Sequence, residues 1–113
     1  KISLSGKGKL YLGNLYSKRD WGHAKDYVEA MWKMLQQKKP SDYVIASGKQ
    51  YTVKHFICLV CKELRLKINW KGKGLNEKAF LNKKNIISID KRYFRPTEVD
   101  SLLGNNLKAK NNV

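Results

Sequence analysis

Ala24, Tyr27, Val28, Met31 and Leu35 recur at i, i+3, i+4, i+7 and i+11, which places them along one face of an α-helix. No other feature constrains the fold as strongly. A helix with one apolar face needs another layer to cover that face. Asp20 stands ahead of the run at a distance suited to an N-terminal cap. Lys38 and Lys39 follow it, where cations suit the helix dipole, and Pro40 stops it. A second stripe, Val53, Phe56, Ile57, Val60 and Leu64, predicts another helix with Thr52 as its cap.

Between and around these helices the strand signals are short. "KLYLGNL" reads as a strand ended by Gly13 and Asn14. "DYVIASG" reads as an apolar strand between Asp42 and Gly48. "LKINW" alternates and runs into the "KGKG" turn, and "IISID" is a further short strand. "LNEKAFLNKKN" is polar and fits neither pattern. Thr97 is placed to cap a short helix ended by Gly104, and "NLKAKNNV" reads as the start of another helix. Lys1–Ser5 reads as a frayed helix end, followed by a "SGKGK" loop. The expectation is a small α+β unit that does not close its own core. The chain opens on Lys1 without a methionine and reads as part of something longer.

At 113 residues the chain fits one small domain. No apolar run reaches the length of a membrane span, and the start has no signal-peptide pattern. Cys58 and Cys61 are the only cysteines. With no second pair and no paired histidines they do not complete a zinc set, and they read as small hydrophobes within a helix. The absence of a disulfide framework points to a reducing compartment, the cytoplasm. The formal charge of +15 raises nucleic acid as a partner. Among the 24 basic residues, however, only Arg19, Arg65, Arg92 and Arg95 are arginine, the side chain suited to bidentate readout. Lysines spread along the whole chain read as a solvated surface. A basic nucleic-acid-binding module, with Tyr11, Tyr16, Trp21 and Trp70 as stacking groups, stays as the alternative.

The residues with chemistry gather in two places. "KRDWGHAKDYV" sets Arg19 just ahead of a helix start, where a guanidinium beside free backbone N–H groups favours an anion. "YFRPTEV" sets Arg95 beside Pro96, with Glu98 three positions on. An arginine for phosphate and a carboxylate for two vicinal hydroxyls suit a nucleotide sugar. Read locally, Arg19–Asp20 and Arg95–Glu98 are equally well surface ion pairs of small worth. His23 with Asp20 or Asp26 does not make a catalytic set, because no nucleophile motif accompanies it. Trp21 and His23 read as packing and capping residues.

Together, "LYLGNL", "KRDWGHAKDYVEAMWKMLQQ", "DYVIASG", "KGKGLNEKAF" and "RYFRPTEVDSLLG" resemble the GDP-mannose 4,6-dehydratase family. That family lies within the extended short-chain dehydrogenase/reductases. The resemblance covers Lys1 to about Lys110 and implies the C-terminal, nucleotide-sugar-binding part of such an α/β Rossmann enzyme, over residues 1–113. The glycine-rich NADP turn, the Tyr-x-x-x-Lys pair and the dehydration residues of the family are not in the sequence. By resemblance, NADP belongs to a missing N-terminal Rossmann domain, and no catalytic residue and no metal is assigned here. Arg19 and Arg95 are implied as pyrophosphate contacts of GDP-mannose and Glu98 as the ribose contact. Leu10, Leu12 and Gly13 are implied as neighbours of the guanine through the backbone. The resemblance further implies conversion of GDP-mannose to GDP-4-dehydro-6-deoxy-D-mannose, on the way to GDP-fucose and related deoxysugars. It implies a homo-oligomeric full-length enzyme, no membrane, and no activity from this segment alone. "GNNLKAKNNV" departs from the family's usual continuation.

Overall fold

The computed structural model describes residues 7–112; the predicted helix end at Lys1–Ser5 lies outside them. The elements in chain order are β1 (Leu10–Leu12), β2 (Lys18–Arg19), α1 (Ala24–Leu35), β3 (Tyr51–Thr52), α2 (Val53–Glu63), β4 (Ile68–Lys71), β5 (Lys78–Leu81), β6 (Lys84–Ile89) and α3 (Leu107–Asn112). The class is α+β, as the sequence predicts. The chain divides into two compact units. A sheet unit takes the described residues up to Ser17 with Thr52–Asp100. A helical unit takes Lys18–Tyr51 with the described residues from Ser101 onward.

The sheet unit is built on a four-stranded sheet of order β1-β6-β5-β4. β4, β5 and β6 form an antiparallel meander, and β1 lies parallel to β6, with Leu10 opposite Ile87 and Leu12 opposite Ile89. β5 is the strand hidden in the polar stretch "LNEKAFLNKKN". It pairs with β6 across a two-residue turn, and both turn residues, Asn82 and Lys83, have positive φ (48° and 67°), the backbone that tight hairpins need. At the "KGKG" turn, Gly72 has φ 83°, and a Cβ there would lie 2.4 Å from the Asn76 carbonyl oxygen. Glycine is required on both counts.

Ala79, Ile86 and Ile87 form the buried core, with Leu12, Ile57, Ile68, Trp70 and Leu81 packed on it. The helix over this core is α2, capped by Thr52, whose hydroxyl accepts the His55 N–H at 3.0 Å. Its buried side keeps only part of the predicted stripe. Ile57 and Cys61 face inward, whereas Phe56, Val60 and Leu64 are exposed. The reason is electrostatic as well as apolar. Lys54, one turn from Ile57, forms an ion pair with Glu77 at 2.6 Å, and the Glu77 side chain is 2% exposed. The Tyr16 hydroxyl donates to the same carboxylate oxygen at 3.0 Å. The Lys54 ammonium also sits 5.3 Å and 4.9 Å from the ring centres of Tyr16 and Trp70. An apolar pattern on more than one side of a helix leaves its rotation open; this buried charge fixes it. Cys61 is buried as read, but Cys58 is exposed.

In the helical unit α1 covers the predicted apolar run but ends at Leu35, short of Lys38, Lys39 and Pro40, and it is capped by His23, whose Nδ1 accepts the Lys25 N–H at 3.2 Å. Asp20 does not cap it. Its carboxylate accepts instead from the Ser47 N–H (2.9 Å), the Ser47 hydroxyl (2.6 Å) and the Gly48 N–H (2.8 Å), tying the loop after α1. β2 and β3 form a two-stranded ribbon, and Lys18 bridges Ser101. "DYVIASG" is not a strand. Among the described residues it has no strand beside it to complete a ladder, and an unpaired extended segment is not a sheet. Asn106 donates to the Ala46 carbonyl at 2.7 Å, which holds this loop beside the start of α3. The helix predicted from Thr97 to Gly104 does not form either. Thr97 sits in a turn, because so short a segment with Val99 and Ser101 inside it does not repay helix nucleation. Along the predicted apolar face of α1, Tyr27 is half-buried, but Val28, Met31 and Leu35 are 64%, 57% and 82% exposed.

Asp20 sets an acid limit on stability. Hydrogen bonds, the Ser47 hydroxyl first, hold its carboxyl below the usual carboxylate range. A group depressed on folding stabilises above its unfolded pKa, about 3.9, and that contribution is lost as pH falls through the lower folded value. Asp20→Asn is therefore expected to flatten the fall of Tm with acidification between about pH 5 and 2, read by thermal melts across that range.

Candidate functional site

β1 and β6 are the parallel pair, and the loops beyond their carboxyl ends converge within the sheet unit. In open parallel sheets, ligands bind outside the carboxyl ends of the strands. After β6 the chain turns at once. The Asp90 N–H donates to the Leu12 carbonyl at 2.9 Å, and the Tyr93 and Phe94 N–H groups return to the Asp90 carbonyl. The Asp90 carboxylate accepts from the Arg92 backbone N–H at 2.9 Å and from its guanidinium at 2.7 Å. That arginine holds the Asp90 carboxyl below the ordinary range. The turn delivers the chain to Arg95, whose backbone is gripped by the Asn14 amide. Asn14 Oδ1 accepts the Arg95 N–H at 2.9 Å and Asn14 Nδ2 donates to the Arg95 carbonyl at 2.9 Å. Gly13 permits the approach, since a Cβ there would stand 2.1 Å from the Tyr93 carbonyl oxygen.

Gly13, Arg95 and Glu98 thus belong to one loop cluster. The Glu98 N–H bonds to the Arg95 carbonyl at 3.2 Å, a turn that sets the carboxylate three positions beyond the guanidinium. Among the described residues no hydrogen bond or ion pair engages the exposed Arg95 guanidinium. Leu10 lies in β1 and is half-exposed, while Leu12 packs its side chain on the core and has its carbonyl taken by Asp90. Arg19 belongs to the helical unit. There it lines a groove of about 390 Å³ with Asp20, Tyr27, Val44 and Leu102, and its Nη1 donates to the Lys18 carbonyl at 2.7 Å. Asn14 is the residue that sequence reasoning missed. It was legible only as the end of a strand, because its partner lies 81 positions away.

Two of the four aromatic residues considered for base stacking are otherwise engaged. Tyr16 and Trp70 both bracket the Lys54 ammonium. No described helix is long and apolar enough to cross a membrane.

A small mixed sheet whose parallel strand pair ends in this loop cluster defines the class as α+β. The fold likeness is to the crystal structure of a protein described as an epimerase, from Burkholderia cenocepacia. The TM-score is 0.75 at 21% identity, over 99% of this chain and 32% of that one. The family model described as GDP-mannose 4,6 dehydratase matches residues 1–113, and the chain belongs to that family. Relatives bearing that name include those of Dictyostelium discoideum, 54% identical over 89% of this chain, and Drosophila melanogaster, 55% identical over 87%. A third, from Yersinia enterocolitica, is 47% identical over 96%. The chain spans 29%, 25% and 32% of the length of these three relatives, in that order.

Proposed function

We propose that this chain is the nucleotide-sugar-holding part of a GDP-mannose 4,6-dehydratase, the C-terminal portion of an enzyme that converts GDP-mannose to GDP-4-dehydro-6-deoxy-D-mannose. The observation that carries the reading is the two-sided grip of Asn14 on the Arg95 backbone. It fixes the backbone from which an exposed guanidinium projects beyond the carboxyl ends of the parallel strands, with Glu98 one turn on. A guanidinium suits a diphosphate, because its planar donors match phosphate oxygens. A carboxylate at that spacing suits the paired hydroxyls of a ribose. Arg19, in the helical unit, is a further proposed pyrophosphate contact, and the backbone at Leu10, Leu12 and Gly13 is proposed to meet the guanine. Holding the nucleotide orients the sugar, and orientation of this kind supplies several kcal/mol toward a barrier.

The chain's own residues do not fit NADP. The sequence contains no Gly-x-Gly-x-x-Gly and no Tyr-x-x-x-Lys, and β1 is followed by the Gly13–Asn14 turn and not by a phosphate-binding helix. The cofactor is proposed to bind a Rossmann domain outside this chain. That domain is also the proposed cover for the exposed part of the α1 face, since apolar patches of this kind mark contact surfaces. Homo-oligomerisation of the whole enzyme and a cytoplasmic location complete the proposal. The chain alone is expected to turn over no GDP-mannose, even with added NADP.

The test is a thermal melt of the chain at moderate salt, without and with millimolar GDP-mannose. A ligand of the folded state raises the melt by mass action. Arg95→Ala is expected to weaken binding roughly ten- to a hundredfold, the loss of charge-assisted hydrogen bonds. A melt that GDP-mannose leaves unmoved would sink the reading. Oligonucleotide binding that falls steeply with salt would support the nucleic-acid alternative instead.

A further inference from the structure

Cys58 and Cys61 stand three positions apart on α2. Helix geometry puts their Cα atoms about 5 Å apart, within the roughly 4.4–6.8 Å that a disulfide spans. Both line one groove of about 490 Å³, with Lys62, Arg65, Ile68 and Trp70. Their surroundings differ. Cys58 is exposed and Cys61 is buried. Burial pushes the Cys61 thiol up, and the neighbouring Cys58 adds to it. None of these residues belongs to the Gly13–Asn14–Arg95 cluster.

We propose that Cys58 and Cys61 form a reversible dithiol–disulfide site that reacts with small peroxides. The Cys58 thiolate attacks one oxygen of hydrogen peroxide. The O–O bond breaks, the sulfur is oxidised to a sulfenic acid, and the departing hydroxide takes a proton to become water. The Cys61 sulfur then attacks the Cys58 sulfur. The S–O bond breaks, the S–S bond forms, and the Cys61 proton leaves with the hydroxyl as a second water. Two thiols have lost two hydrogens, and one peroxide has become two waters.

The bridge works against the helix. Side chains three apart hold their Cβ atoms about 5–6 Å apart, and a disulfide draws them to about 4 Å. Closure therefore pulls on the last turn of α2. There the Cys61 carbonyl accepts the Leu66 N–H at 2.8 Å and Arg65 adopts φ 55°. A bridge closed against its geometry is readily reduced, which makes the site reversible.

The experiment treats the full chain with one equivalent of hydrogen peroxide, then blocks free thiols under denaturing conditions and measures intact mass. The expected product has lost both thiols together, is lighter by two hydrogens, is monomeric, and is restored by millimolar glutathione. Cys58→Ser changes an exposed side chain and is expected to slow thiol loss at least about tenfold, because the remaining thiol is buried. In Cys61→Ala the Cys58 sulfenic acid is expected to persist and to be captured by dimedone. Covalent dimers or over-oxidised Cys58 in the wild-type chain would overturn the proposal, as would a Cys58→Ser chain that reacts as fast as wild type.

Discussion

Lys54→Met is expected to destabilise the chain by about 3 kcal/mol, measured by denaturant unfolding. The substitution keeps the aliphatic stem and removes the cation. The Glu77 carboxylate then stays buried without its partner, and removing one member of a buried pair costs about 3–5 kcal/mol. The lower end applies because the Lys54 side chain is 27% exposed, so solvent screens part of the interaction. The ammonium also leaves the Tyr16 and Trp70 rings. Adding Glu77→Gln to the variant is expected to recover most of the loss. The neutral amide can still accept from the Tyr16 hydroxyl, and it carries no charge to strand. Recovery separates the burial of a lone charge from loss of packing, which the second substitution would not repair. The pH dependence is a further check. The hydrogen bond that Lys54 donates to Glu77 raises the Lys54 pKa. A group raised on folding stabilises fully below its unfolded value, about 10.4, and loses that contribution only as pH rises through the folded one. The difference between wild type and Lys54→Met should thus stay constant from about pH 6 to 9 and shrink only in stronger alkali.

This ion pair also explains where the sequence was and was not legible. α1 and α2 carry local signals, an apolar period in both and the Thr52 cap in α2, and both form over those apolar runs. The buried side of α2 is another matter. Phe56, Ile57, Leu59, Val60 and Cys61 put apolar atoms on more than one face, and the face chosen depends on Glu77, 23 positions from Lys54. "DYVIASG" has the composition of a strand, but strands exist only in pairs. The reverse held for β5. Its residues are polar enough to look like a loop, and pairing with β6 across Asn82 and Lys83 makes it a strand. Local pattern thus located α1, α2, β1, β4 and β6, and failed at "DYVIASG" and β5, where only pairing decides whether an extended segment is a strand.

The same division runs through the candidate site. Arg95 and Glu98 stood out as a cation and a carboxylate beside a proline. Their joint meaning came from resemblance, since a surface ion pair reads the same way. What fixes Arg95 could not be seen. Gly13 and Asn14 looked like punctuation after a strand, yet one admits the Tyr93 carbonyl and the other holds the Arg95 peptide from both sides.

Gly13→Ala is accordingly expected to have the largest effect on nucleotide binding of any substitution that removes no functional group. The added methyl would stand 2.1 Å from the Tyr93 carbonyl oxygen and 2.7 Å from its carbon. Both are backbone atoms that cannot rotate aside. Either the end of β1 or the Asp90–Arg95 turn must move, and the two are joined by the Asp90–Leu12 bond and both Asn14–Arg95 bonds. Losing three hydrogen bonds at about 1 kcal/mol each gives a loss near 3 kcal/mol, visible as a lowered Tm. The Arg95 guanidinium and the Glu98 carboxylate move with the turn, so GDP-mannose affinity should fall by at least the factor seen for Arg95→Ala. Asn14→Ala divides the two effects. It leaves room for the turn and frees only the Arg95 peptide, so affinity should drop with a smaller change in Tm. If Gly13→Ala lowered Tm while GDP-mannose bound as before, Arg95 would hold the turn together and play no part in holding the nucleotide.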